Sequence, residues 1–172
     1  MRKAGSGIAV TGNYKKHIGM KNKNFIKSVK CALNGLWCAL KNERNLRFDI
    51  SVMFTVIFFA VFYGTDRMQW ALLVMIFAAV IGAELFNTAI EKAVDTATEE
   101  YSPIAGAAKD ISAAAVGVCA VCAAVSGVII FGNAEKIFGA LRRIFQNPVC
   151  AVVFCALLVS DAVLILKKDR RS

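Results

Sequence analysis

Residues 70–95 read WALLVMIFAAVIGAELFNTAIEKAVD, and the change of character inside this stretch decides the fold. Its first part, WALLVMIFAAVIGA, is almost wholly apolar, and together with the first turns of the second part it reaches the roughly 20 residues that a helix needs to cross a bilayer. The second part, ELFNTAIEKAVD, turns polar on one side only. At about 100° per residue, Glu84, Asn87, Glu91 and Asp95 fall within an arc of about 80°, with Thr88 beside them. A helix leaving the membrane ends in charge as a matter of course, but solvation does not align three acids and an amide on one face. Glu84 also stands on the apolar side of the boundary, where hydrocarbon cannot solvate a carboxylate. An ionisable group there marks a functional site.

The rest of the chain extends this reading. It has 172 residues, 58% of them hydrophobic, and four long apolar runs, which is not the composition of a soluble core. Membrane helices are expected at 48–64, 69–91, 112–132 and 149–166; Asp49 stands at the start of the first, whose clean run, ISVMFTVIFFAVFY, is short. Of the 21 Lys and Arg, eleven precede the first span and four come after the last, so the positive-inside rule places both termini in the cytoplasm. The loop 96–111 is then cytoplasmic too, on the side where the carboxylate stripe ends. The three bases of 133–148 weigh mildly the other way. The net charge of +9 lies in the flanks of the spans, where anionic headgroups are the natural counter-ions. No aromatic-interleaved basic patch or zinc-finger signature points to nucleic acid. The six cysteines include Cys119 and Cys122 as a CxxC, but inside an apolar run without a histidine partner, and all six read as small apolar residues.

Taken in order, residues 1–23 form a basic, Gly-containing tail expected to be flexible, with His17 an exposed singleton. From 24 to 47, Phe25, Val29, Leu33, Leu36, Trp37 and Leu40 recur at helical spacing, as in an amphipathic helix lying on a membrane surface. It ends in KNERNLR, where Glu43 is the sole acid among Lys41, Arg44 and Arg47. The turn Gly64-Thr65-Asp66-Arg67 is short enough only for a helical hairpin. TATEEYSPIAGAAKD, after the second span, reads as a loop carrying Glu99, Glu100, Tyr101, Lys109 and Asp110, and NAEKIFGALRRIF as a short interfacial helix. Asp161, about five residues from the end of the fourth span, could serve as a proton relay or a subunit contact. The plainer reading is preferred, in which it reaches the interface or a terminal lysine.

Between about Asn24 and Phe131 the chain resembles the small prokaryotic integral-membrane lipid kinases, the diacylglycerol kinase and undecaprenol kinase family. The resemblance rests on NER at 42–44 after an amphipathic helix, ELFNTAIEKAVD at 84–95 on the second span, and AKD at 108–110 opening the third. NERNLR looks more like the undecaprenol-preferring branch. The family likeness implies an all-α integral membrane protein: a surface helix and three membrane helices, assembled as a homotrimer with active sites between subunits. The fourth span, in a C-terminal region 133–172 beyond a kinase domain at 24–132, departs from that pattern, as does the N-terminal tail.

Carried over residue by residue, the resemblance makes Glu84 the general base toward the lipid hydroxyl, with Asn87 orienting the reacting groups. Glu43 and Glu91 would hold Mg2+, and Asp95 would support the site. Lys109 would meet the phosphates of ATP, with Glu100 and Asp110 in the nucleotide region. Cys31 stands where an aromatic nucleotide contact is expected. Phosphoryl transfer asks for these groups: charge neutralisation on the phosphates and a base within reach of the attacking hydroxyl. No Walker A or protein-kinase catalytic motif accompanies them, so the nucleotide rests on the resemblance. The expected enzyme is a multi-pass lipid kinase of the cell membrane with its site on the cytoplasmic side, phosphorylating undecaprenol or diacylglycerol. Two other classes remain open: a small proton-coupled transporter using Glu84, Glu91 and Asp161, and a non-catalytic helical scaffold.

Overall fold

The computed structural model describes residues 21–97 and 102–166, with side chains from residue 25 onward. The basic tail with His17, the segment holding Glu99, Glu100 and Tyr101, and the last six residues lie outside the described residues. The chain divides into two compact units, 1–41 and 42–172. The first ends in α1 (Lys21–Asn42), which carries the expected apolar stripe. Phe25, Val29, Leu33 and Trp37 are exposed along it, and the Lys41 ammonium lies over the Trp37 ring at 5.2 Å. An uncovered apolar stripe with a basic last turn suits a helix on an anionic membrane surface.

The second unit holds α2 (Arg44–Tyr63), α3 (Arg67–Ala97), α4 (Pro103–Phe131), α5 (Ala134–Gln146) and α6 (Pro148–Leu166). Four of these, α2, α3, α4 and α6, are long and apolar enough to cross a membrane. The protein is therefore an all-α, multi-pass membrane protein. Helix α2 lies between the α3–α4 hairpin and the pair α5 and α6, packing against α3 on one side and α6 on the other.

Local chemistry fixes the ends. Glu43 is the N-cap of α2 in extended conformation, and Gly64 terminates that helix with φ 77°, the left-handed region that glycine enters without a Cβ clash. Asp66 and Gln69 then bond reciprocally, Asp66 Oδ1 accepting from Gln69 N at 2.8 Å and Gln69 Oε1 from Asp66 N at 3.0 Å. That capping box starts α3 within the short turn. Ser102 caps α4, with Pro103 in its first turn. The third span thus starts nine residues before the expected 112, and most of the segment read as a loop is helix. Proline is at home in a first turn, where its missing N–H is not needed, and the AGAAKD run after it does not break a helix.

The interhelical core gathers at the end of the spans away from the carboxylate stripe. Ala60, Leu73 and Ile130 are buried there, under Trp70, Phe77 and Phe131. Tyr63 and Phe131 meet edge to face at 5.0 Å, and Phe154 of α6 stacks on Phe58 at 5.9 Å. With one end pinned by aromatics, the opposite end of the bundle is left to hold the polar site.

Candidate functional site

Among the described residues of the second unit four polar ones are buried: Glu84, Asn87 and Thr88 on α3, and Ser112 on α4. All lie at the end of the α3–α4 hairpin that the carboxylate stripe marks. Glu84 is 3% exposed. Asn45 of α2 lies within side-chain hydrogen-bonding reach of its carboxyl, and the charges acting on it are Asp49, Glu91 and Glu43. A buried carboxyl acted on by three other acids is costly in isolation.

Asn87 is held at both ends of its amide. Its Nδ2 donates to Glu91 Oε1 at 3.0 Å, while its Oδ1 lies 2.6 Å from the Ser112 hydroxyl, which is also 2.8 Å from the Lys109 carbonyl oxygen. The amide orientation is thereby fixed by α4. At the outer edge Lys109 pairs with Asp95, and Lys92 with Glu43 at 2.9 Å. Asp110 is exposed and takes no part in these bonds.

The fold therefore gathers Glu84, Asn87, Glu91 and Glu43 into one cluster, sets Lys109 with Asp95 beside it, and leaves Asp110 apart. Glu100 lies outside the described residues. Three members carry no mark as site residues in the sequence reading: Asn45, Asp49 and Ser112. Asn45 and Asp49 are four residues apart and so share a face of α2, a signal that extends the NER motif along the helix. Ser112 gives no such signal, since its role depends on the register of α4 against α3.

Below the cluster a cavity of 370 Å³ opens between α2, α3 and α4. Asp49 stands at one end, and the walls are apolar: Val52, Val56, Ile76, Phe77, Ile81 and Ala124 among them. A polar mouth on an apolar shaft suits a molecule with one polar end and a hydrocarbon chain.

Among the described residues no group of three or more His, Cys, Asp or Glu forms a closed metal cage. The available donors, Glu43 and Glu91, are carboxylates, which match a hard cation. Magnesium commonly takes only one or two of them, with phosphate and water completing its shell. Two carboxylates are thus a donor set that suits such a cation only if other ligands complete its shell.

The family profile described as prokaryotic diacylglycerol kinase matches residues 30–131, which contain this whole cluster. The chain belongs to that family. Similar proteins include the undecaprenol kinase of Bacillus subtilis, 35% identical over 62% of this chain and 87% of the relative. The diacylglycerol kinase of Helicobacter pylori is 33% identical over 54% of the chain and 73% of that protein. That of Escherichia coli is 30% identical over 61% and 86%. No solved structure matches. The protein is thus a membrane lipid kinase, and α5 and α6 lie outside the part that the family accounts for.

Proposed function

We propose that the protein transfers the γ-phosphate of ATP to the hydroxyl of a membrane lipid alcohol at the cytoplasmic face, with undecaprenol preferred over diacylglycerol. The observation that carries this reading is Glu84, a carboxyl 3% exposed beside the Asp49 end of an apolar cavity. The preference for undecaprenol is supported by the relative at 35% identity, against 30–33% for the diacylglycerol kinases. A hydrophobic shaft discriminates poorly between chains, so both lipids are expected to react.

In this mechanism the lipid chain occupies the cavity and its hydroxyl meets Glu84. Glu84 takes the hydroxyl proton as the lipid oxygen bonds to the γ-phosphorus and the bond from that phosphorus to the β-γ bridging oxygen breaks, so that ADP leaves with the bridging oxygen. Asn87, clamped by Ser112 and Glu91, orients the reacting groups. Lys109, steadied by Asp95, meets the nucleotide phosphates, with Glu100 and Asp110 toward the nucleotide. Glu43 and Glu91 would hold Mg2+, which supplies neutralisation of phosphate charge; Lys92 balances Glu43 until then. Eleven residues separate Glu84 from Asp95, about 16 Å along the helix axis at 1.5 Å per residue. A lipid hydroxyl at the bilayer edge and a nucleotide arriving from water can therefore meet on one helix.

We take residues 24–132 as the kinase domain, 1–23 as a basic tail and 133–172 as an appended region. The kinase domain is proposed to act as a homo-oligomer, by family likeness a homotrimer. The exposed flank of α4, with Val118, Val121 and Val125 among its bare residues, is available to neighbouring copies. The test is transfer of labelled phosphate from γ-labelled ATP to undecaprenol and to diacylglycerol in mixed micelles, with Mg2+ and with excess EDTA. Labelled lipid that forms only with Mg2+, and more of it from undecaprenol, is expected. No labelled lipid from folded protein, with either alcohol, would refute the proposal.

A further inference from the structure

From the sequence, Asp161 on the fourth span is expected to reach the interface or a terminal lysine, but Lys167 and Lys168 lie outside the described residues. Asp161 turns into the bundle against α2, where the Ser51 hydroxyl donates to its Oδ1 and Thr55 Oγ1 donates to its Oδ2 at 2.8 Å. Ser160 Oγ lies 3.3 Å from Ser51 Oγ. Ser51 and Thr55 are the eighth and twelfth residues of a helix of 20, so these bonds form in the middle of a span. A carboxyl side chain held there, with no ion pair to it among the described residues, is an expensive way to join two helices.

The position of this cluster on α2 is informative. At about 100° per residue, Ser51 and Thr55 stand about 200° and 240° from Asp49, whereas Asn45 stands about 40° from it. Helix α2 thus has two polar faces. Its front offers Asn45 and Asp49 to Glu84 and the cavity, and its back offers two hydroxyls to Asp161. Two further contacts continue along the back toward the other end: Phe154 stacked on Phe58, and Arg143 Nη1 donating to the Phe62 carbonyl at 2.9 Å. The appended region therefore grips α2 at three heights.

Apolar contacts in a bilayer are poor at fixing register, because a lipid chain or a neighbouring Leu can replace any of them at little cost. Sliding α2 by one residue moves it about 1.5 Å and turns it about 100°. Either motion would carry Asp49 and Asn45 away from Glu84. Two directional hydrogen bonds to one carboxylate permit a single register. We propose that Asp161 is a positioning residue for the kinase site: through Ser51 and Thr55 it sets the depth and rotation of α2, and so places Asn45, Asp49 and the Glu43 cap against Glu84. This rests on the proposed phosphoryl-transfer role of Glu84 and its neighbours.

The test compares the full chain with Asp161→Asn and with the triple variant Ser51→Ala/Thr55→Val/Asp161→Leu. The triple variant removes Asp161 and both hydroxyls that donate to it, leaving only the exposed Ser160, so no buried polar group loses its partner, and such replacements are close to neutral for stability. A cluster that only glued helices together would then leave both the thermal midpoint and kcat unmoved. The positioning role predicts an unchanged or raised midpoint with a kcat lower by about ten- to a hundredfold, the scale of a misplacement near 1 Å. KM for ATP should rise less than kcat falls, because Lys109 and Asp95 belong to α4 and α3 and only Glu43 moves with α2. Asp161→Asn keeps an acceptor for the hydroxyls and should run close to the parent rate. A folded triple variant with the parent's kcat, or an Asp161→Asn variant as slow as the triple, would overturn the inference. If the parent itself transfers no phosphate, the site reading falls and takes this inference with it; if the parent is active and Glu84→Gln is not, a fully active triple variant defeats this inference alone.

Discussion

Removing the Ser112 hydroxyl tests how the site is built. Ser112 and Asn87 are both buried, and the hydroxyl lies 2.6 Å from Asn87 Oδ1. In Ser112→Ala that oxygen is left without a donor in a place water does not easily reach, at a cost of about 1–3 kcal/mol. The amide can escape part of the cost by rotating, but then Nδ2 leaves Glu91, to which it donates at 3.0 Å. Either way Asn87 no longer has one fixed orientation. If about 1–1.5 kcal/mol of that loss is felt in the transition state, kcat falls roughly five- to twelvefold. The assay is initial-rate lipid phosphorylation over a range of ATP concentrations, with the thermal midpoint measured in the same detergent. A double-mutant cycle with Asn87→Ala separates orientation from general disturbance and should give a coupling of about 1 kcal/mol. Unchanged kcat in Ser112→Ala, or strict additivity with Asn87→Ala, would refute the reasoning.

The same geometry sets two further outcomes. Lys109→Met should raise KM for ATP about tenfold or more, as loss of a charge-assisted contact to phosphate predicts, with a smaller rise for Asp95→Asn because Asp95 only steadies the ammonium; saturation curves for ATP check both. Ile144→Ala, at a fully buried position of α5, should lower stability by about 2–4 kcal/mol and the thermal midpoint with it, while the rate per folded molecule stays near the parent's.

Much of the architecture is legible in the sequence because bilayer thickness and helical rise leave few choices. A run such as VCAVVFCALLVSDAVLIL is long and apolar enough to be a span, and the fourth, expected at 149–166, is α6 at Pro148–Leu166. The third starts earlier than its apolar run suggests, because Pro103 acts as a first-turn residue capped by Ser102 and not as a loop residue. The stripe on α3 is visible because one helix carries it: Glu84, Asn87, Glu91 and Asp95 share a face whatever surrounds them. Ser112 against Asn87, 25 residues apart, and Asp161 against Ser51, 110 apart, are not visible. Each depends on how two helices are set in height and rotation, which no local period encodes. In the sequence Asp49 reads only as a flaw in the first apolar run. Its place at the mouth of the cavity emerges once α2 and α3 are seen together.

The central claim is that a carboxyl at the bilayer edge removes the proton of a lipid alcohol. It is tested most directly by comparing lipid phosphorylation by the parent chain and by Glu84→Gln at saturating Mg-ATP. Glutamine keeps the size and a hydrogen-bonding end but cannot accept the proton, so kcat should fall about 10²–10⁴-fold, the usual contribution of a positioned base, with KM for ATP little altered. A Glu84→Gln protein that phosphorylates undecaprenol or diacylglycerol at the parent's rate would contradict the account.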